Sequence, residues 1–178
     1  MDERIPGGDR HDRADRHDRA DRYDRWRNIV ADALDAREAH ATLEHATEGL
    51  APELRGRRPA GLPHSPWELL EHVRLAQADL LAYLADPGYQ APAWPDGYWP
   101  PTPQPSGDAA WDDAVAAVVA GRERLKALLR ELPDPTAAIP WGAGHSYLRT
   151  ILVALDHEAY HVGQIVLVRR LLGAWPPP

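Results

Sequence analysis

The chain has 178 residues, no cysteine and a net charge of −7. That length suits one domain with a sizeable core. Without cysteine there are no disulfides and no thiolate ligands, so a metal site must draw on His, Asp, Glu or water, and the composition fits a reducing compartment. No run of about 18 uninterrupted apolar residues offers a membrane span, and the charged N-terminus is not a secretory signal. A cytoplasmic protein with no membrane partner is expected. Residues 1–27 hold eight acids and eight arginines, so the acid excess falls on the rest of the chain, whose one lysine is Lys126. A phosphate-binding surface needs clustered cations, and nucleic acid is therefore not an expected partner.

At the N-terminus, His-Asp-Arg-Ala-Asp-Arg at 11–16 recurs at 17–22, and Tyr23-Asp24-Arg25 begins a third, broken copy. Asp12/Arg16 and Asp18/Arg22 are acid-first i,i+4 pairs, each worth only a few tenths of a kcal/mol. Aspartate is also a poor interior helix residue. Residues 1–24 read as a solvated extension, disordered or a frayed helical lead-in, and 25–178 as the folded domain. From Trp26 to about Leu50, Trp26, Ile29, Val30, Ala33, Leu34, Leu43 and Leu50 recur near the helical period. Pro52, Gly56, Pro59, Gly61 and Pro63 make 51–64 a loop.

Ser65-Pro66-Trp67-Glu68 opens a second helix: Ser65 caps, Pro66 suits the first turn and Glu68 completes a capping box. It runs to about Ala85 and carries His72 beside the Leu69/Val73/Ala76 stripe. Residues 86–107 contain seven prolines with Tyr89, Trp94, Tyr98 and Trp99, which rules out helix or central strand. A loop of this length is uncommon unless it has a function, and it reads either as a cover for the bundle end or as a substrate-facing wall. A third helix runs from Asp108, read as its cap, to about Leu132. A fourth starts near His145 or Ser146 and ends near Leu172, where Arg169 and Arg170 suit the dipole and Gly173 the C-cap. Four helices and no convincing strand define an all-α fold, most simply a four-helix bundle.

His157 and His161 lie one turn apart on the fourth helix, the spacing by which a helix gives two nitrogens to one divalent metal. They border its most apolar face, and buried neutral imidazoles need partners for their nitrogens. His72 is the best third ligand, being the other mid-helix histidine beside an apolar stripe. His64 and His145 sit at helix starts, where capping or surface roles are commoner. Glu71 and Glu158 are candidate hydrogen-bond partners for the ligands. Gln164 can orient a metal-bound water or bond within the bundle. Gly163 reads as a point of close helix approach, and Tyr160 as core or interface packing. Three imidazoles suit Zn²⁺ or Ni²⁺, with Fe²⁺ or Mn²⁺ also compatible. A closed shell would mean a non-catalytic metal-binding stress-response module. An open position facing Trp94, Trp99 or Trp141 would mean an enzyme acting on a small molecule.

His72 after Ser65-Pro66-Trp67-Glu68, then His157-Glu158-Ala159-Tyr160-His161-Val162-Gly163-Gln164-Ile165, then Arg169-Arg170-Leu171-Leu172-Gly173-Ala174-Trp175-Pro176, resembles the DinB-like superfamily. That group includes YfiT-type metal-dependent hydrolases, bacillithiol transferases and mycothiol-dependent isomerases. The resemblance covers about residues 25–178. It implies an up-down-down-up bundle, a metal site of His72, His157 and His161, and homodimers. It also implies transfer of a low-molecular-weight thiol cosubstrate to an electrophile, or hydrolysis. No general base stands out.

Overall fold

The computed structural model describes residues 23–35 and 39–177. Most of the Asp-Arg repeat, with His11 and His17, lies outside the described residues, while Tyr23 and Asp24 are already helical. Residues 23–34 form α1. It is followed by the short α2 (Leu43–Thr47) and α3 (Pro52–Arg55), then by the long α4 (Pro66–Ala85), α5 (Asp108–Glu131) and α6 (Tyr147–Leu171). A single 3₁₀ turn, Asp96–Tyr98, punctuates the proline-rich loop. Among the described residues there is no strand, only an isolated bridge between Ala138 and Ser146.

The expected continuous helix from Trp26 to Leu50 is broken. The chain leaves α1 after residue 34 and restarts at Thr42, whose hydroxyl accepts from the His45 N–H as an N-cap. Val30 and Leu34 are buried, whereas Trp26 and Ile29 of the same apolar series are more than half exposed. The break allows α2 to turn against α6 and α5. The expected loop at 51–64 likewise holds one helical turn, α3, with Pro52 in its first turn.

α4 opens on the capping box as read: the Ser65 hydroxyl accepts from the Glu68 N–H, and Glu68 accepts from the Ser65 N–H. Arg58 pairs with the same Glu68 carboxylate. For α5 the expected cap is wrong. Gly107 occupies that position with no side-chain bond, and Asp108 instead pairs with Arg55 at 2.9 Å. Ser146 caps α6. The α6 C-terminus closes through Gly173 at φ +72°, with Ala174 N–H on the Arg169 carbonyl and Gly173 N–H on that of Arg170. That is a Schellman closure, which favours glycine.

α4 packs on both α5 and α6. Leu69, Leu70 and Val73 of its first half meet Trp111 and Val118 of α5 and Val162, Ile165 and Val168 of α6. Leu84 at its far end joins Val30, Leu34, Leu125, Leu129, Ile151 and Ala154. The N-terminal half of α4 therefore lies beside the N-terminal half of α5 and the C-terminal half of α6. Each fully buried Leu or Ile contributes about 1.5–3 kcal/mol of transfer free energy.

Three buried cations tie the helices together. Arg122 donates to Glu44 of α2 (3.1 Å) and Glu158 of α6 (3.0 Å). Lys126 pairs with Asp35 and Glu123. Arg169, 1 % exposed, donates to the backbone carbonyls of Ala46, Glu48 and Ala174 and lies over the Trp175 ring. α6 holds no uninterrupted apolar run, but among the described residues it is the one helix long and apolar enough to cross a membrane by length and mean hydropathy, a test that the core helix of a bundle also passes. Its buried Glu158 pairs with Arg122 of α5, and its Arg169 donates to the carbonyls of Ala46 in α2, of Glu48 just after it and of Ala174.

Candidate metal centre

α4 and α6 bring His72, His157 and His161 together. One nitrogen from each lies within 4.8 Å of the others, close enough to share a metal ion. The His157 and His161 rings are 4.4 Å apart at their centroids, as one helical turn requires, and His72 lies 4.9 and 4.6 Å from them. His72 and His161 are buried and His157 is half-buried.

The donor chemistry fits a divalent cation. His72 Nδ1 lies 2.8 Å from the Tyr98 carbonyl oxygen. A carbonyl only accepts, so the proton sits on Nδ1 and the Nε2 lone pair is free to bind. His161 Nδ1 in turn donates to Gln164 Oε1 at 2.7 Å, which leaves its Nε2 likewise unprotonated. Such outer bonds fix tautomer and ring orientation in metal sites. Burial keeps the rings neutral. Desolvation, helped by the neighbouring imidazoles, pushes His157 and His161 down to about 4. It also lowers His72, against the Tyr98 hydrogen bond.

The proline-rich loop forms one wall. The Trp99 ring lies 4.0 Å from His72 on one face and 4.0 Å from His64 on the other, within 8° of parallel to both. This stack fixes the plane of the His72 ring. The loop is pinned to α4 by the Tyr89 hydroxyl, which donates to Asp79 at 2.8 Å. Trp94 is 79 % exposed and touches Tyr98, whereas Trp141 bonds the Tyr83 carbonyl and packs in the other core cluster. Of the three tryptophans considered, Trp99 is the one at the site. Beyond Gln164 a cavity of about 110 Å³ opens between Leu62, His64, Leu69, Leu167 and Val168.

The proposed outer partners of the ligands are different residues from those read. Glu71 is held by Arg74 at 2.7 and 2.8 Å, and Glu158 by Arg122. Gln164 bonds the ring of His161, the intrahelical alternative. His64 is part of the stack against the site, while His145 is exposed beside Tyr83. Tyr160 is not core: it is 64 % exposed, edge-on to His161 at 5.0 Å. Among the described residues nothing would come within 4 Å of a Cβ at Gly163, so none of the described helices uses that glycine for close approach.

An all-α protein with three histidines converging from two of its long helices is thus in hand. The chain belongs to the DinB superfamily, whose family model matches residues 35–165, a span that includes all three histidines. No curated protein and no solved structure matched the chain.

Proposed function

We propose that this protein is a metal-dependent enzyme that transfers a low-molecular-weight thiol to an electrophilic small molecule. The convergence of three neutral imidazoles, two with their outer nitrogens already bonded, carries this reading. His72, His157 and His161 would hold the ion, and among the described residues no fourth side chain joins them. A three-imidazole set suits Zn²⁺ or Ni²⁺. Such an ion supplies a lowered pKa for a bound thiol or water, and so a nucleophile near neutral pH.

The chain supplies the remaining parts. Trp99 and Tyr98 hold His72, and Gln164 holds His161. The cavity beyond Gln164 is large enough for a few apolar atoms of a substrate. With no cysteine of its own, the protein needs the sulfur nucleophile to come from a cosubstrate. The paired N-terminal halves of α4 and α5 against α6 support an up-down-down-up four-helix bundle, and we take residues 25–178 as the domain and the cytoplasm as its compartment.

The test is a screen of metal-reconstituted protein with mycothiol, bacillithiol and glutathione against alkyl halides, epoxides and maleyl compounds, following thiol consumption. Metal-dependent turnover lost in His157→Ala supports the reading. Metal-dependent ester or amide cleavage without thiol replaces it with hydrolysis. No metal-dependent turnover of either kind contradicts it.

A further inference from the structure

We infer that the cavity beyond Gln164 is the subsite for an uncharged hydrocarbon group of the electrophile, a short alkyl chain rather than a carboxylate-bearing one. That the occupant is an electrophile rests on the proposed thiol transfer; that it is neutral and apolar follows from the cavity. The two helices that carry the histidines also line this space. Leu69 stands one turn before His72 on α4, and Val168 one turn beyond Gln164 on α6. Gln164 is the boundary: its Oε1 accepts from His161, and its side chain lines the cavity. A group seated there lies beside the three imidazoles. Leu167 is 48 % exposed, so the cavity edge that it forms reaches solvent and a ligand can enter.

The lining has hydrocarbon walls and no charge. Leu62, Leu69, Leu167 and Val168 supply the walls, and the two polar side chains are His64 and Gln164. Burial holds the His64 imidazole below its ordinary value. Among the described residues, no Asp, Glu, Lys or Arg lines the space. Arg58, the cation just before this segment, is engaged by Glu68. A carboxylate brought here would lose its water with no cation to replace it, which is costly. A hydrocarbon group instead gains about fourfold in affinity for each methylene that it buries.

Volume sets the length of the occupant. The cavity measures about 110 Å³. An apolar cavity of about 150 Å³ takes up benzene, so this smaller one suits a chain of about three to five carbons. The thiol is not the occupant. Low-molecular-weight thiols carry their sulfur on polar scaffolds of carboxylates, amines or sugar hydroxyls, which these walls do not pair. Maleyl compounds, with two carboxylates, fail for the same reason. Among alkyl halides, epoxides and maleyl compounds, the cavity selects the first two.

NMR of the full chain with isotope-labelled Leu and Val methyls, metal-free and without thiol, tests this by titration with n-butyl chloride. Expected are saturable shifts at Leu69, Leu167 and Val168, with affinity rising about fourfold per carbon from ethyl to n-butyl chloride and levelling off in longer chains. Butyrate and maleate bind at least about tenfold more weakly. Leu167→Arg, at the half-exposed edge, reverses the order of n-butyl chloride and butyrate, because it supplies the missing cation. Leu62→Trp fills the cavity and abolishes binding of both. Thermal melts establish that each variant folds. No saturable shift at these methyls makes the cavity a packing void only and overturns the inference. So does butyrate or maleate binding as tightly as n-butyl chloride. The subsite and the thiol chemistry fail separately. A methyl shift with n-butyl chloride in a protein whose thiol screen shows no turnover contradicts the transfer chemistry alone. Turnover of an alkyl halide without any shift at these methyls contradicts the subsite alone.

Discussion

His72 and His157 bring their Nε2 atoms to 3.1 Å from two helices, 85 residues apart in sequence. The His72 proton is committed to the Tyr98 carbonyl. The His157 Nε2–H therefore donates to His72; to hold an ion through Nε2, His157 would have to carry its proton on Nδ1.

The first prediction concerns pH. Burial lowers His157 and His161 from their ordinary 6.5 to about 4. Between those values the unfolded chain binds protons that the folded chain does not, so metal-free stability rises with pH through this window. It is fully present above about 6.5 and lost as pH falls toward 4. Thermal midpoints of metal-free protein between pH 4 and 8 should show this slope, and His157→Gln should flatten it.

A second prediction isolates Gln164. Gln164→Leu removes the acceptor for His161 Nδ1–H while leaving all three ligands. Loss of such an outer partner typically lowers metal affinity about 10–100-fold. Gln164→Glu, which keeps an acceptor oxygen, should retain affinity. Competition of Zn²⁺ against a chromophoric chelator measures both.

Trp99 provides a third. Its ring is stacked on His72 at 4.0 Å, so loading the site should change its emission. Trp99→Phe should abolish most of the metal-dependent change in tryptophan fluorescence, although six other tryptophans remain. An unchanged response would place the ion elsewhere.

The fourth concerns the frame behind the site. Arg122 is 4 % exposed and joins Glu44 to Glu158, the residue next to His157. Burial raises Glu158, and Arg122 opposes that rise. Arg122→Met strands the Glu158 carboxylate, and breaking a buried pair from one side costs about 3–5 kcal/mol. Adding Glu158→Leu should recover much of that loss. Urea unfolding of the single and double variants checks the difference.

Much of the site was legible because its parts are local. The Ser65 capping box, the histidine spacing on α6 and the position of His72 beside an apolar stripe are all readable within one or two helical turns. The missed parts are long-range or lack a side-chain signature. Every residue has a carbonyl, so nothing marks that of Tyr98 as the partner of His72. Nothing local to Arg122 and Lys126 marks them as buried, since their partners Glu44, Glu158 and Asp35 lie 78, 36 and 91 residues away. The break after α1 carries neither proline nor glycine. Thr42, ahead of Leu43-Glu44, was the available signal for the restart.

The central claim, that His72, His157 and His161 hold one ion, is tested most directly by elemental analysis of purified, metal-reconstituted protein beside His161→Ala. The expected result is about one divalent ion per wild-type chain, as for a mononuclear site, and little in the variant. Equal and negligible metal in both would contradict it.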